Sequence, residues 1–401
     1  MKARSLVIGG ALLLSIALPG NAQQAQEPRV EQLEGYLVTP QQLEFDESLL
    51  QQLQVPAGFR IDVFAKDLGN PRMLAVAPDG TVYVTRREQG DVLALLDSNQ
   101  DGRADEIRTV ASGYKYINGI TIYQNRLYFV TDRQLYAADL QSSPGVIGEP
   151  QELINDLPDA GQHPNRTLAF GPDGLLYITV GSTCNACDET NPESATLLRA
   201  QPDGSNRTIY ATGLRNTIGF GWHPETGELW GMDHGSDWRG NEQPPEELNL
   251  IAEGADYGWP FCYADRRPDV YLPTNPTGTT KEEYCANTQP PALTYTAHSA
   301  PLAMTFYTAS QFPEEYRNDA FVTMRGSWNR NPPSGYKVVR VRYENGKPVK
   351  FEDFITGFLN EEQLTQFGRP VGIAIAPDGS LLFTDDTNGV IYRVSYVGTS
   401  N

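Results

Sequence analysis

At 401 residues, with 50 acidic against 31 basic side chains and a net charge of −19, the chain should repel nucleic acid and anionic membrane surfaces. Hydrophobic residues make up 39 %, and 37 glycines with 29 prolines suit a turn-rich β protein. Beyond the N-terminus no apolar run is long enough to cross a bilayer as a helix.

The chain opens with Lys2 and Arg4, an apolar stretch from Leu6 to Leu18, and then Pro19, Gly20, Asn21 and Ala22. This is the layout of a secretory signal peptide over residues 1–22, which predicts a periplasmic or secreted protein. Residues 23–54 are rich in Gln and Glu without a period and are expected to form a leader or strap. A repeated unit then fills residues 55–401. PRMLAVAPDGTVYVT (Pro71 to Thr85), INGITIYQNRLYFVTD (Ile117 to Asp132), RTLAFGPDGLLYITVG (Arg166 to Gly181), TGLRNTIGFGWHPETGELWGMDHGSD (Thr212 to Asp237) and RPVGIAIAPDGSLLFTDD (Arg369 to Asp386) share one layout. A weaker sixth copy begins at Ser299 and resumes at Asp319. Each is an apolar strand, a Pro-Asp-Gly-like turn and a second strand rich in Val, Tyr, Thr and Leu. The starts lie roughly 45 to 85 residues apart, the period of propeller blades with loop insertions. A β-sandwich of unrelated hairpins fits less well, because the units resemble one another. The expected fold is all-β, a six-bladed β-propeller of four-stranded antiparallel blades.

Polar clusters sit at the strand ends, where a rigid β scaffold presents chemistry. In the fourth unit Arg215 and Asn216 open the first strand, and His234, Gly235, Ser236 and Asp237 follow the second. Arg215 is a permanent cation with a planar fork of donors, and Gly235 lets main-chain carbonyls approach a ligand or metal. Of the four histidines, His163 precedes the third unit's first strand, close to Arg166. His234 could orient a ligand loop, His298 could line a loop or only pack, and His223 reads as a surface turn residue. The four cysteines form a CNAC pair, Cys184 and Cys187, and a second pair, Cys262 and Cys285, in a Pro-rich insertion over 261–296. A zinc site would need a second close pair or clustered histidines, so disulfides Cys184–Cys187 and Cys262–Cys285 are the simplest expectation. DSNQDGRAD places Asp97, Asn99, Asp101 and Asp105 at calcium-loop spacing, with Arg108 where the closing Glu would stand. Its alternative is an Asx-rich hairpin turn.

VPAGFRIDVFAKDLGNPRMLAVAPDG, GQHPNRTLAFGPDGLLYITVGS, TGLRN, HGSD, ELNLI followed by YGWP, and RGSWNR together resemble the glucose/sorbosone dehydrogenase family, exported sugar dehydrogenases that use pyrroloquinoline quinone (PQQ) on a six-bladed propeller. The resemblance runs from about Val55 to Val397 and implies a set of roles. His163 would be the catalytic base. Arg215 would bond the quinone carbonyls with Asn216 beside it, and the Gly235 and Ser236 carbonyls would hold Ca²⁺ against the cofactor. Arg325, Arg369 and Arg330 would answer the three carboxylates of PQQ. Asn118 would face substrate or cofactor. Gln162 stands where some relatives carry an acid, which leaves open what orients the imidazole. Trp328 would stack on a sugar or fill the face. The implied reaction is oxidation of the C1 hydroxyl of an aldose, or of an aldosone, to lactone or acid. Electrons would pass to an external acceptor such as a cytochrome, quinone or dye, since CNAC lacks the His of a haem-attachment motif. The competing readings are a calcium-dependent lactonase or esterase and a non-catalytic glycan-binding propeller.

Overall fold

The structure, a computed structural model, describes residues 33–159 and 161–398; the expected signal peptide and the first part of the leader lie outside the described residues. Among the described residues there are six four-stranded antiparallel sheets. Five run in chain order, over residues 71–112, 120–154, 168–212, 220–295 and 301–355. The sixth joins strand Phe59–Ala65 to the C-terminal strands Pro370–Ile375, Leu381–Asp385 and Val390–Tyr396. The two ends of the repeat array therefore meet in one sheet, with Phe59 opposite Tyr396.

Local chemistry explains the hairpins. Asp79, Asp173 and Asp378 each accept the backbone N–H two residues on, while Gly80, Gly174 and Gly379 take positive φ. These are Asx-stabilised turns, and they join the first strand of a sheet to its second. The second strands (Val82–Arg86, Leu176–Val180, Leu381–Asp385) are buried almost throughout, as β-branched and aromatic runs packed on both faces should be.

Neighbouring sheets are fastened where a threonine of one sheet reaches the first strand of the next, or the residues just before it. Thr85 donates to Asn118 O at 2.6 Å, Thr167 to Ile218 O at 2.6 Å, Thr323 to Val371 O, and Thr384 to Arg72 O at 2.6 Å. At the other two junctions glycine replaces the hydroxyl. A Cβ on Gly119 would lie 2.7 Å from Arg166 O, and one on Gly219 would lie 2.8 Å from the Ala303 main chain. Each sheet thus touches the next in chain order, and the last returns to the first, the arrangement of a β-propeller.

The described part of residues 23–54 pairs with the C-terminal half of the chain. Gln41–Gln42 pairs parallel with Thr365–Gln366, and Gln54 bridges to Thr356. Both expected disulfides are present, and Cys262–Cys285 closes an insertion that carries a small hairpin and a five-residue helix, Lys281–Cys285. One expectation is corrected: His223 is buried, not a surface residue. Its ring packs against Phe306 and Tyr343, and its Nδ1 accepts from the Glu225 and Thr226 N–H groups, so the imidazole caps its own turn.

Candidate active site

Because every first strand runs toward its turn, the residues that precede first strands and follow second strands gather at the opposite end of the ring. His163 lies there. Its Nδ1 is 2.8 Å from Ser182 O and 2.9 Å from Ser182 Oγ. The hydroxyl already donates to Cys184 O at 2.8 Å, so Nδ1 carries the proton and Nε2 keeps the lone pair. Burial, followed by the charge of Arg215, pushes the imidazole down to about 3. It is neutral at physiological pH, the form a base requires. Ser182 therefore does what an acid beside the histidine would have done; Gln162 is exposed and contributes its backbone N–H to Thr183 O.

Arg215 is buried and fully engaged. Its Nε and Nη2 donate to Asn185 O and Oδ1, both at 2.9 Å, and Nη2 also reaches Asp237 Oδ2 at 3.2 Å. The backbone N–H groups of Arg215 and Asn216 are held by Asp233, whose carboxyl burial raises to about 6. Asn216 Nδ2 approaches His234 Nδ1 at 3.4 Å, while its Oδ1 is buried with no hydrogen-bond partner. A Cβ on Gly181 would lie 2.7 Å from both that oxygen and the Cβ of His163, so glycine is needed for the two to meet. Gly235 is confined in the same way, 2.9 Å from Pro244 O. Its N–H donates to Glu246, a buried carboxyl raised by burial to about 8.

A second group holds the cations. Asp386 is buried between Arg72 and Arg325, whose Nε lies 3.0 and 3.1 Å from its two oxygens. Arg369 donates to Arg325 O and Gly326 O at 3.1 and 2.7 Å. Burial lowers both Arg72 and Arg369 to about 10, with Arg325 adding to the effect. Three guanidinium groups face two buried carboxyls, Asp386 between Arg72 and Arg325 and Asp385 on the Arg369 N–H. Burial raises Asp385 to about 7, so the cluster carries more positive than negative charge, as a polyanionic ligand would need. The two groups are joined. Arg72 Nε donates to Asn118 Oδ1 at 3.2 Å, Asn118 Nδ2 to Arg166 O at 3.0 Å, and Arg166 to His163 O at 2.7 Å.

Of the remaining sequence-derived candidates, Asn118 lies inside this arrangement as its link, and Arg330 and the Asp97–Asp105 loop fall outside it. Asn118 is fully buried with both ends of its amide used, so it spaces Arg72 from Arg166 rather than facing a ligand. Arg330 is taken up by Asn241 O and Glu242. Asp97, Asn99, Asp101 and Asp105 lie in the hairpin loop at the turn end, remote from the site by topology. There the carboxylates accept N–H groups of their own loop, as an Asx-rich turn does. Trp328 is half exposed, edge-on to Trp238 with ring centroids 5.1 Å apart. Among the described residues one trio has metal-ligand proximity, Cys184, Cys187 and Glu189, and its sulfurs are joined to each other. Sequence reasoning missed Arg72, Asp386, Ser182 and Asn185. Arg72 had a signal, because PRMLAV places it where NRTLAF places Arg166. Asn185 was hidden inside a motif read for its cysteines.

The residues fit a polyanionic cofactor such as PQQ on two observations: surplus buried guanidinium charge and the orphaned Asn216 oxygen. Comparison with known proteins agrees. Residues 53–397 match the TrAA12-like family, and the chain belongs to it. It is 30 % identical to the pyrroloquinoline quinone-dependent pyranose dehydrogenase of Coprinopsis cinerea over 86 % of this chain, and spans about half (54 %) of that enzyme's length. It is 29 % identical to an uncharacterized protein of Borreliella burgdorferi, over 87 % of this chain and 92 % of that one. Other relatives named for their chemistry are a pyrroloquinoline quinone-dependent sugar dehydrogenase of Hypocrea jecorina and a quinoprotein glucose dehydrogenase B of Acinetobacter calcoaceticus, 28 % and 24 % identical over 69 % and 49 % of this chain and 71 % and 52 % of those proteins. In fold it is similar to a Trichoderma reesei family AA12 structure, with TM-score 0.74 and 21 % identity over 92 % of this chain and 100 % of that one. It is also similar to the holo PQQ domain of the Coprinopsis cinerea pyranose dehydrogenase, with TM-score 0.72 and 22 % identity over 90 % and 100 %.

Proposed function

We propose that the six sheets are six blades of one propeller, and that its site oxidises the C1 hydroxyl of an aldose or aldosone with PQQ and Ca²⁺ in an exported enzyme. The observation that carries this reading is a neutral imidazole with a free Nε2 joined by hydrogen bonds to a buried arginine cluster. When bound, PQQ supplies the two-electron acceptor and Ca²⁺ the Lewis acid. His163 Nε2 takes the hydroxyl proton as the C1–H electron pair departs, and a C=O bond forms at C1. Arg215, fixed by Asn185 and Asp237, presents positive charge where negative charge grows. Arg72, Arg325 and Arg369 would hold the cofactor's carboxylates, and the Gly235 and Ser236 carbonyls the calcium.

The test is reconstitution of purified protein with PQQ and Ca²⁺, followed by dye reduction with a panel of sugars. We expect a PQQ-dependent absorbance change and turnover with an aldose. No spectral change on adding PQQ, or hydrolysis of lactones without it, would overturn the reading.

A further inference from the structure

The turn Cys184–Cys187 touches both halves of the site. On one side, Cys184 O accepts the Ser182 hydroxyl at 2.8 Å, and Ser182 holds His163 Nδ1. On the other, Asn185 uses its whole polar surface on functional groups. Its O and Oδ1 accept from Arg215, Oδ1 also accepts from Asp237 N at 2.7 Å, and Nδ2 donates to Asp237 O at 2.9 Å. Asp237 continues the loop that carries Gly235 and Ser236. The base of the turn is anchored separately: Glu189 accepts from Thr183 N and Oγ1 at 2.6 and 2.7 Å, and Thr183 O accepts from Gln162 N at 2.9 Å.

We propose that this disulfide-closed turn is a single positioning element for the reaction, setting the His163 tautomer through Ser182 and the Arg215 fork and the Gly235–Asp237 loop through Asn185. This rests on the functional reading above. The bridge closes a loop of sequence separation 3, against 23 for Cys262–Cys285, so it removes little freedom from the unfolded chain. Its effect is local. It fixes one asparagine whose Oδ1 would otherwise have to find both Arg215 and Asp237 from a mobile turn. Cys184 and Cys187 are joined to each other and stand beside the base rather than in the core.

The experiment compares Asn185→Ala, Asn185→Asp and Cys184→Ser/Cys187→Ser with the parent protein. Affinity for PQQ in the presence of Ca²⁺ is read by absorbance titration, and the His163 ring-nitrogen NMR shifts are read on the cofactor-free protein. Asn185→Ala should weaken PQQ binding about ten-fold or more by freeing a buried charged partner, and should lower the unfolding temperature of the cofactor-free protein as well, because Arg215 and Asp237 each lose a bond to Oδ1. Asn185→Asp, which keeps the Oδ1 acceptor, should recover part of that loss. The double serine variant should show the same weakening and also lose the single Nδ1–H signature of His163. Unchanged PQQ affinity in Asn185→Ala, or an unchanged His163 signature in the double variant, overturns the proposal. If the double variant does not fold, the alanine and aspartate pair still decides. If the parent protein binds no PQQ, the functional reading fails, and the ring-nitrogen shifts still test the turn.

Discussion

The two ends of the ring use the same residue types in opposite ways. At the turn end, Asp79, Asp97, Asp101, Asp105 and Asp378 accept N–H groups from within a few residues. They shape loops and stay near water. At the other end, Asp386, Asn118, Asn185 and Arg215 bond to residues dozens to hundreds of positions away, and most are buried. A polar side chain satisfied locally needs nothing from the tertiary fold. One buried against a distant partner has to be positioned by it, and an error there leaves a desolvated group unpaired. The contrast separates site from scaffold before any ligand is considered, even though a groove of about 640 Å³ opens at the turn end, lined by Asp79, Asp97, Asp378 and Arg393.

The largest effect should come from His163→Ala. Removing the base should lower turnover by about 10²–10⁴-fold while PQQ titrates as before, measured by dye reduction beside absorbance. The pH profile sharpens this. Since burial and Arg215 hold the folded imidazole at about 3, the base form persists through the range in which an ordinary histidine protonates. The acid limb of kcat/KM should therefore lie below about 6.5, the ordinary histidine value. The stability consequence has the opposite sense. Between 6.5 and 3 the unfolded His163 binds a proton that the folded one refuses, so stability should fall as pH drops through that window.

Next in size is Asp386→Ala. It leaves Arg72 buried without its counter-charge, a loss of about 3–5 kcal/mol if the pair behaves as other broken buried pairs do. Urea denaturation of the cofactor-free protein reads the loss. Added PQQ with Ca²⁺ should restore part of it, because a polyanion replaces the missing negative charge. A variant as stable as the parent would mean that water already screens the cluster.

Much of the fold was legible because its unit is local. A strand, an Asx turn and a second strand repeat within a short span, and both disulfides followed from cysteine spacing. The grouping of candidate residues was legible where they precede the first strands of the repeat, as His163, Arg215 and Arg369 do. It was not legible where a role depends on a partner in another sheet. Nothing near Asp386 announces that Arg72, 314 positions earlier, bonds it. His223 misled for the complementary reason: a turn histidine reads as exposed until two aromatic residues from the next sheet cover it. Asn118 was placed at the right end of the ring, but its sequence position could not say that both its amide groups are spent on neighbours.

The smallest expected effect belongs to Asp101→Ala, and it tests the contrast from the scaffold side. Calcium needs carboxylate oxygens free to converge on one ion. In the Asp97–Asp105 loop the carboxylates already accept backbone bonds: Asp97 from the N–H groups of Asp101 and Gly102, Asp101 from that of Arg103, and Asp105, through one oxygen, from those of Ser98 and Asn99. A loop already satisfied by its own backbone gains little from an ion. The unfolding temperature of the cofactor-free protein should therefore be the same with Ca²⁺ as with a chelator, and Asp101→Ala should move it by less than about 2 °C. A calcium-dependent rise in the parent that disappears in Asp101→Ala would show that the backbone bonds give way to the ion. The turn end would then hold a ligand site of its own, and local satisfaction would no longer separate scaffold from chemistry.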